Sequence, residues 1–117
     1  RGRSSIDLFL NKVAKSRKRP VTSEPNPERG LYYRSDSLRF AEAGIPSLQL
    51  APADLTTYLQ QQFNQPSDTY SDAWTFEATA QDLQLLYLTG LQIAEAKTAP
   101  TFNANDEFAK PASNSRK

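Results

Sequence analysis

The chain has 117 residues, a mass of 13.1 kDa and a formal net charge of +1. This length is typical of one domain with a modest core. The near-zero charge excludes a global field that would attract nucleic acid or anionic membranes, and no apolar stretch reaches the roughly 20 residues needed to cross a bilayer. We therefore expect neither a nucleic-acid nor a membrane partner. Cysteine is absent, which excludes disulfides, and so is histidine.

The charge is unevenly distributed, because residues 1–19 hold seven cations against the single acid Asp7. One interpretation is a phosphate-contacting patch. The favoured one is a solvated helix face whose cations lie near the negative end of the helix dipole. No aromatic residues interleave with Lys18 and Arg19, as single-strand nucleic-acid binders require.

The first predicted helix begins after Ser4 or Ser5 as N-cap and runs to about Arg17, before Pro20 stops it. Its apolar positions follow helical spacing: Ile6, Phe9, Leu10 and Val13. Residues 19–23 are a short strand candidate around Val21, and residues 24–30 are predicted to be a loop that contains Pro25 and Pro27.

A second, brief helix is predicted with Ser35 or Asp36 as N-cap, Phe40 and Ala41 facing inward, and Gly44 as the left-handed terminator. Residues 45–50 are predicted to form a buried strand. Another helical turn is predicted to begin at Pro52 and to include Leu55, Tyr58 and Leu59.

From Thr75 the chain shows its clearest helix, with an apolar stripe of Phe76, Ala80, Leu83, Leu86, Tyr87, Gly90, Ile93 and Ala94. We expect Leu83, Leu86 and Ile93 to be buried against the strand 45–50. After Ala99 and Pro100 the composition shifts, so residues 1–99 are predicted to be a single α/β domain and residues 100–117 a largely disordered tail.

The order of elements predicts an α/β layer with parallel or mixed strands. Two strands make a poor sheet, so further strands must come from a second copy or from a missing N-terminal half. We expect a homo-oligomer whose contact includes the strand edge near Val21 or Leu48, or the apolar side of the first helix.

Two segments carry a family resemblance: residues 32–50 read YYRSDSLRFAEAGIPSLQL, and residues 63–70 read FNQPSDTY. Together they resemble the C-terminal part of the two-zinc aminopeptidases of peptidase family M28, whose relatives include glutamate carboxypeptidases and glutaminyl cyclases. The resemblance extends from about Ser5 through Ala96. It implies the C-terminal portion of an α/β/α sheet fold with a long C-terminal helix packed on the sheet. It also implies a secreted or periplasmic origin, and a parent activity in which zinc-activated water removes N-terminal residues from peptides.

The resemblance also implies site residues. Arg34, Ser35, Asp36 and Ser37 would lie at the substrate pocket, although Ser37 stands where the family has histidine or tyrosine. The structural alternative is that Asp36 caps the helix and Arg34 pairs with a carboxylate.

In the second segment, Asn64 occupies the position of the family's zinc-ligating histidine, and Asp68 would order that loop. An Asx-type turn stabilised by Ser67 and Asp68 is the structural alternative. Without histidine or cysteine, only carboxylates remain as strong ligands, and oxygen-only sites suit calcium or magnesium better than zinc. We therefore expect no cofactor in this chain, although the family uses zinc.

These observations predict a peptidase-like region that is not catalytic in this chain. Two alternatives stay open. The chain is a stand-alone, self-associating α/β interaction module, or it is a fragment of an active metallopeptidase whose missing N-terminal half supplies the zinc ligands. A peptide substrate is expected only in the complemented form.

Overall fold

The computed structural model describes residues 2–51 and 56–109, and their regular structure is helical. The α-helices in chain order are α1 (Ile6–Ser16), α2 (Ser37–Glu42), α3 (Thr56–Gln61) and α4 (Glu77–Ala94). Short 3-10 helices at Pro27–Arg29 and Tyr32–Arg34 precede α2. None of the helices in these two ranges is long and apolar enough to cross a membrane. The predicted turn at Pro52 and Leu55 lies outside the described residues.

The predicted α/β sheet fold is wrong for the described part of the chain. Residues 19–23 and 45–50 join no β-ladder, and the one bridge found in the two described ranges is an isolated antiparallel pair between Ser4 and Phe102. A segment becomes a strand only when a neighbour pairs with its N–H and C=O groups, and two short segments without that pairing make no sheet. The long C-terminal helix α4 therefore packs on α1 rather than on a sheet.

The core lies where α1 meets α4. Leu10, Val13 and Ala14 of α1 are buried against Leu85 of α4. Half-buried side chains surround this cluster: Val21, Leu48, Leu50 and Leu88. The segment 45–50 thus contributes to the core through side chains, without the backbone pairing that a strand would have.

The buried face of α4 differs from the predicted one. Leu83 and Leu86 are 61% and 38% exposed, so their predicted burial is wrong, whereas Leu85 and Thr89 are each 2% exposed. The Thr89 hydroxyl donates to the Leu85 carbonyl at 2.8 Å, which satisfies its polar group inside the core. Both sides of α4 are apolar, so hydrophobic spacing alone did not identify the side that contacts α1.

The start of α1 is fixed by residues from the other end of the chain. Ser5 stands at the N-cap position, but its hydroxyl accepts from the Thr101 N–H at 2.9 Å instead of capping the helix. The Ser5 N–H in turn donates to the Thr101 carbonyl at 2.9 Å. Residues 100–109 are thus tied to the N-terminal segment, while residues 110–117 lie outside the described residues; the domain boundary at residue 99 stays a prediction.

The end of α2 follows its sequence signal. Gly44 adopts φ +80°, the left-handed conformation that glycine tolerates best, and its N–H donates to the Ala41 carbonyl at 2.8 Å. Ala41 is fully buried as predicted, whereas Phe40 is exposed, which corrects its predicted inward orientation.

Candidate functional site

The segment 34–37 forms the turn that leads into α2. Arg34 ends a 3-10 helix with an exposed side chain, and the Ser35 hydroxyl donates to the Tyr32 carbonyl at 2.9 Å. Asp36 occupies the N-cap position of α2 but makes no side-chain cap hydrogen bond. The carbonyl of Ser37 accepts from the Ser47 hydroxyl at 3.4 Å. The Arg34 and Asp36 side chains are therefore presented at the surface rather than used to hold the turn.

The segment 63–68 is an exposed loop after α3. Asn64 has φ +60°, a left-handed conformation that asparagine, aspartate and histidine tolerate better than other non-glycine residues. The Tyr58 hydroxyl donates to Oδ2 of Asp68 at 2.9 Å, and this hydrogen bond raises the pKa of Tyr58. This hydrogen bond joins the loop to α3, and Asn64 lies in sequence between Tyr58 and Asp68.

The structure does not bring these two segments together. Across residues 2–51 and 56–109, no hydrogen bond or ion pair joins segment 34–37 to segment 63–68, and α3 packs on no other described helix. The same residues contain no group of three or more acidic side chains placed to hold a metal ion. Two surface depressions flank α1 instead, and none of the predicted site residues lines either one.

Among residues 2–51 and 56–109, the most densely connected polar site is a cluster around Arg3, which we call the Arg3 clasp. Its members are Arg3, Tyr32, Tyr33, Asp106, Glu107 and Phe108. Nε of Arg3 donates to Oδ2 of Asp106 at 2.8 Å and Nη2 to Oδ1 at 3.2 Å, a bidentate pair. Nη2 also reaches Oε1 of Glu107 at 2.7 Å, and Nη1 donates to the Tyr33 hydroxyl at 3.0 Å.

Aromatic rings enclose the same guanidinium. Its carbon lies 4.9 Å from the centre of the Tyr32 ring, 5.1 Å from that of Phe108 and 5.4 Å from that of Tyr33. These distances fall within the range of favourable cation–π contact. Arg3 is therefore held by carboxylates and ring faces at once, a combination suited to the planar guanidinium and not to the lysine ammonium.

The clasp shifts the ionisation of its members. The hydrogen bond from Arg3 lowers the pKa of Asp106, and the Asp106 carboxylate raises the pKa of Arg3. Hydrogen bonds from the Tyr33 hydroxyl and then from Arg3 lower the pKa of Glu107. The Tyr32 hydroxyl is buried and has no hydrogen-bond partner among the described residues. The clasp therefore favours the ionised carboxylates and contains one unsatisfied polar atom.

This clasp was not predicted from the sequence. Arg3 belongs to the basic N-terminal segment and Asp106 to the predicted tail; the two residues are 103 positions apart, and no local pattern links them. Other cations of that segment are also paired: Arg19 contacts Asp82 of α4 at 2.6 Å, and Arg17 donates to Gln84. The two phenylalanines on either side of Asp106, Phe102 and Phe108, were the available signal that residues 102–108 pack against the rest of the chain.

Comparison with known proteins gives one finding. Residues 1–88 match the family model described as Peptidase family M28, and this range includes both segments, 32–50 and 63–70. The match confirms the resemblance drawn from those segments. Searches of curated proteins and of solved structures each found no match. The Arg3 clasp joins the matched region to residues beyond it.

Proposed function

The chain belongs to peptidase family M28, and on that premise we propose that it is a peptidase-like region that does not bind catalytic zinc or hydrolyse peptides by itself. The observation that carries this proposal is Asn64, which stands at the position of the zinc-ligating histidine in the resembled family. The whole chain contains no histidine and no cysteine that could replace that ligand from elsewhere.

The donor chemistry at residue 64 does not fit zinc. Catalytic zinc takes imidazole, thiolate or carboxylate ligands, usually three from the protein, and the amide of Asn64 offers a neutral carbonyl oxygen. The backbone does not demand the change, because histidine also tolerates the left-handed conformation that residue 64 adopts. The loop shape is thus compatible with the family's ligand, and the chemistry of the side chain is what differs.

On this proposal, peptide hydrolysis requires a separate polypeptide segment that brings the metal ligands. Arg34 and Asp36, both exposed before α2, would then contribute to the edge of the peptide pocket. Asp68, through Tyr58, would hold the neighbouring loop in place. Peptide binding is accordingly expected only in the complemented form.

Isothermal titration of the chain with zinc chloride at neutral pH tests the proposal. We expect no stoichiometric site of micromolar or tighter affinity. The Asn64→His variant is the matched comparison, and it too should bind weakly, since one imidazole does not complete a zinc site. A tight site in the unmodified chain, or hydrolysis of an aminoacyl p-nitroanilide above the zinc-only background, would overturn the proposal.

A second candidate function is a self-associating helical interaction module. The observation that favours it is the outer face of α4, defined by the exposed side chains of Leu83, Leu86, Tyr87 and Leu91. Exposed apolar patches larger than a few hundred Å² usually mark an interface. The predicted α/β character of such a module does not apply to the described residues, and the contact would be between helices.

A further inference from the structure

The helix α4 is apolar on two opposite sides. One side, with Leu85 and Thr89, is buried on α1, while on the outer face Leu83 and Tyr87 are 61% and 68% exposed. Residues 83–94 contain no charged side chain. An apolar helix face is normally covered by another element, so the uncovered outer face has the character of an interface.

The surfaces first expected to mediate self-association are not available in the described residues. Residues around Val21 and Leu48 form no strand edge, and Ile6 and Val13 of α1 are already buried. Of the described α-helices, α4 carries the most exposed large apolar side chains, four against one each on α1 and α2.

We propose that the outer face of α4 binds the same face of a second copy in an antiparallel, two-fold arrangement. This inference rests on the second candidate function and specifies its partner and surface. Tyr87 lies midway between Glu77, at the start of α4, and Lys97, just beyond its end. An antiparallel pairing centred on Tyr87 therefore places Glu77 of each copy beside Lys97 of the other, whereas a parallel pairing aligns like charges and like helix dipoles.

The size and shape of the face fit this arrangement. Its four exposed side chains and the neighbouring Phe76 are 38–68% exposed, which at about 200 Å² for a whole large side chain gives on the order of 500 Å² of surface. A standard interface buries about 800 Å² per partner once its polar rim is included. Nothing lies within 4 Å of the space a Cβ would occupy at Gly90. The bare backbone there permits a close approach of the two helices, since side-chain size at the contact sets the distance between axes.

Sedimentation equilibrium of the full chain at tens of micromolar tests the proposal. We expect a species of twice 13.1 kDa that becomes monomeric in Leu83→Glu and in Tyr87→Glu, since a charge in the apolar centre is left unpaired. Leu8→Glu is the control, because Leu8 is an exposed leucine on α1 outside the face, and it should stay dimeric. Far-UV circular dichroism checks that each variant keeps its helices. Leu83→Gln is used instead if Leu83→Glu or Tyr87→Glu loses them.

A zero-length carbodiimide cross-linker provides the second readout. It should join Glu77 to Lys97 between copies, and Lys97→Gln should remove that product. A monomeric unmodified chain, an open polymer, or dissociation by Leu8→Glu but not by Leu83→Glu would overturn the proposal. Zinc titration is independent of these outcomes: a tight zinc site in an intact dimer would refute the non-catalytic function and leave the dimer standing.

Discussion

The Arg3 clasp offers the sharpest test of the structure, through a double-mutant cycle between Arg3 and Asp106. Asp106→Asn removes the negative charge but keeps Oδ1, which also accepts from the Phe108 N–H at 3.0 Å. Arg3→Met removes the guanidinium while keeping an unbranched side chain against the rings of Tyr32 and Phe108. Each variant removes the ion pair, and the cycle subtracts what each variant loses elsewhere, including the hydrogen bonds from Arg3 to Tyr33 and Glu107.

The expected coupling energy follows from the burial of the pair. Exposed ion pairs couple by about 0.2–1 kcal/mol, and breaking a fully buried pair costs about 3–5 kcal/mol. The side chains of Asp106 and Arg3 are 10% and 27% exposed, and their contact is bidentate. We therefore expect a coupling of about 1–2 kcal/mol, between these two limits, that persists in 0.5 M sodium chloride because a half-buried pair is weakly screened.

Urea unfolding followed by far-UV circular dichroism measures the four free energies of the cycle. The pair Arg39–Glu42 is the internal control, since it is an i,i+3 contact at 2.9 Å with side chains 81% and 45% exposed. Its coupling should stay below about 0.5 kcal/mol. If Arg3 and Asp106 coupled no more strongly than the control pair, residues 100–109 would not be held by the clasp, and the reasoning from burial would be wrong.

Three further predictions follow from the core and the clasp. Leu85→Ala should lower the free energy of unfolding by about 2–5 kcal/mol and Leu8→Ala by less than about 0.5 kcal/mol; equal losses in urea unfolding would place the core elsewhere. Asp106 and Glu107 have lowered pKa values in the folded chain. Their contribution to the free energy of unfolding should therefore be complete above about pH 5 and be lost as the pH falls through their pKa values in the folded chain. The urea midpoint of Asp106→Asn should accordingly fall less steeply with acid than that of the unmodified chain. Tyr32→Phe removes a buried hydroxyl without a described partner and should leave stability unchanged or raise it by up to about 1 kcal/mol, and a clear loss in thermal unfolding would reveal a partner for that hydroxyl.

The candidate site was only partly predictable from sequence. Segments 32–50 and 63–70 were sufficient to recognise the family, because the family pattern in each segment lies within a short run of consecutive residues. Their relative placement was not predictable, and neither was the hydrogen bond from Tyr58 to Asp68, since ten positions and a helix end separate them. The Asp36 cap was expected from residue type alone, yet the side chain makes no such bond.

The sequence by itself determined the local features of this protein. Helical spacing from Ile6 to Val13 predicted α1, the long apolar pattern after Thr75 predicted α4, and Gly44 predicted the end of α2, because each depends on residues within a few positions of one another. Tertiary structure alone decided three other features: the absence of a ladder at residues 45–50, the face of α4 that contacts α1, and the pairing of Arg3 with Asp106. Each of these depends on a partner distant in sequence, and the local pattern of a segment does not specify which distant group will satisfy its backbone, cover its apolar side or neutralise its charge.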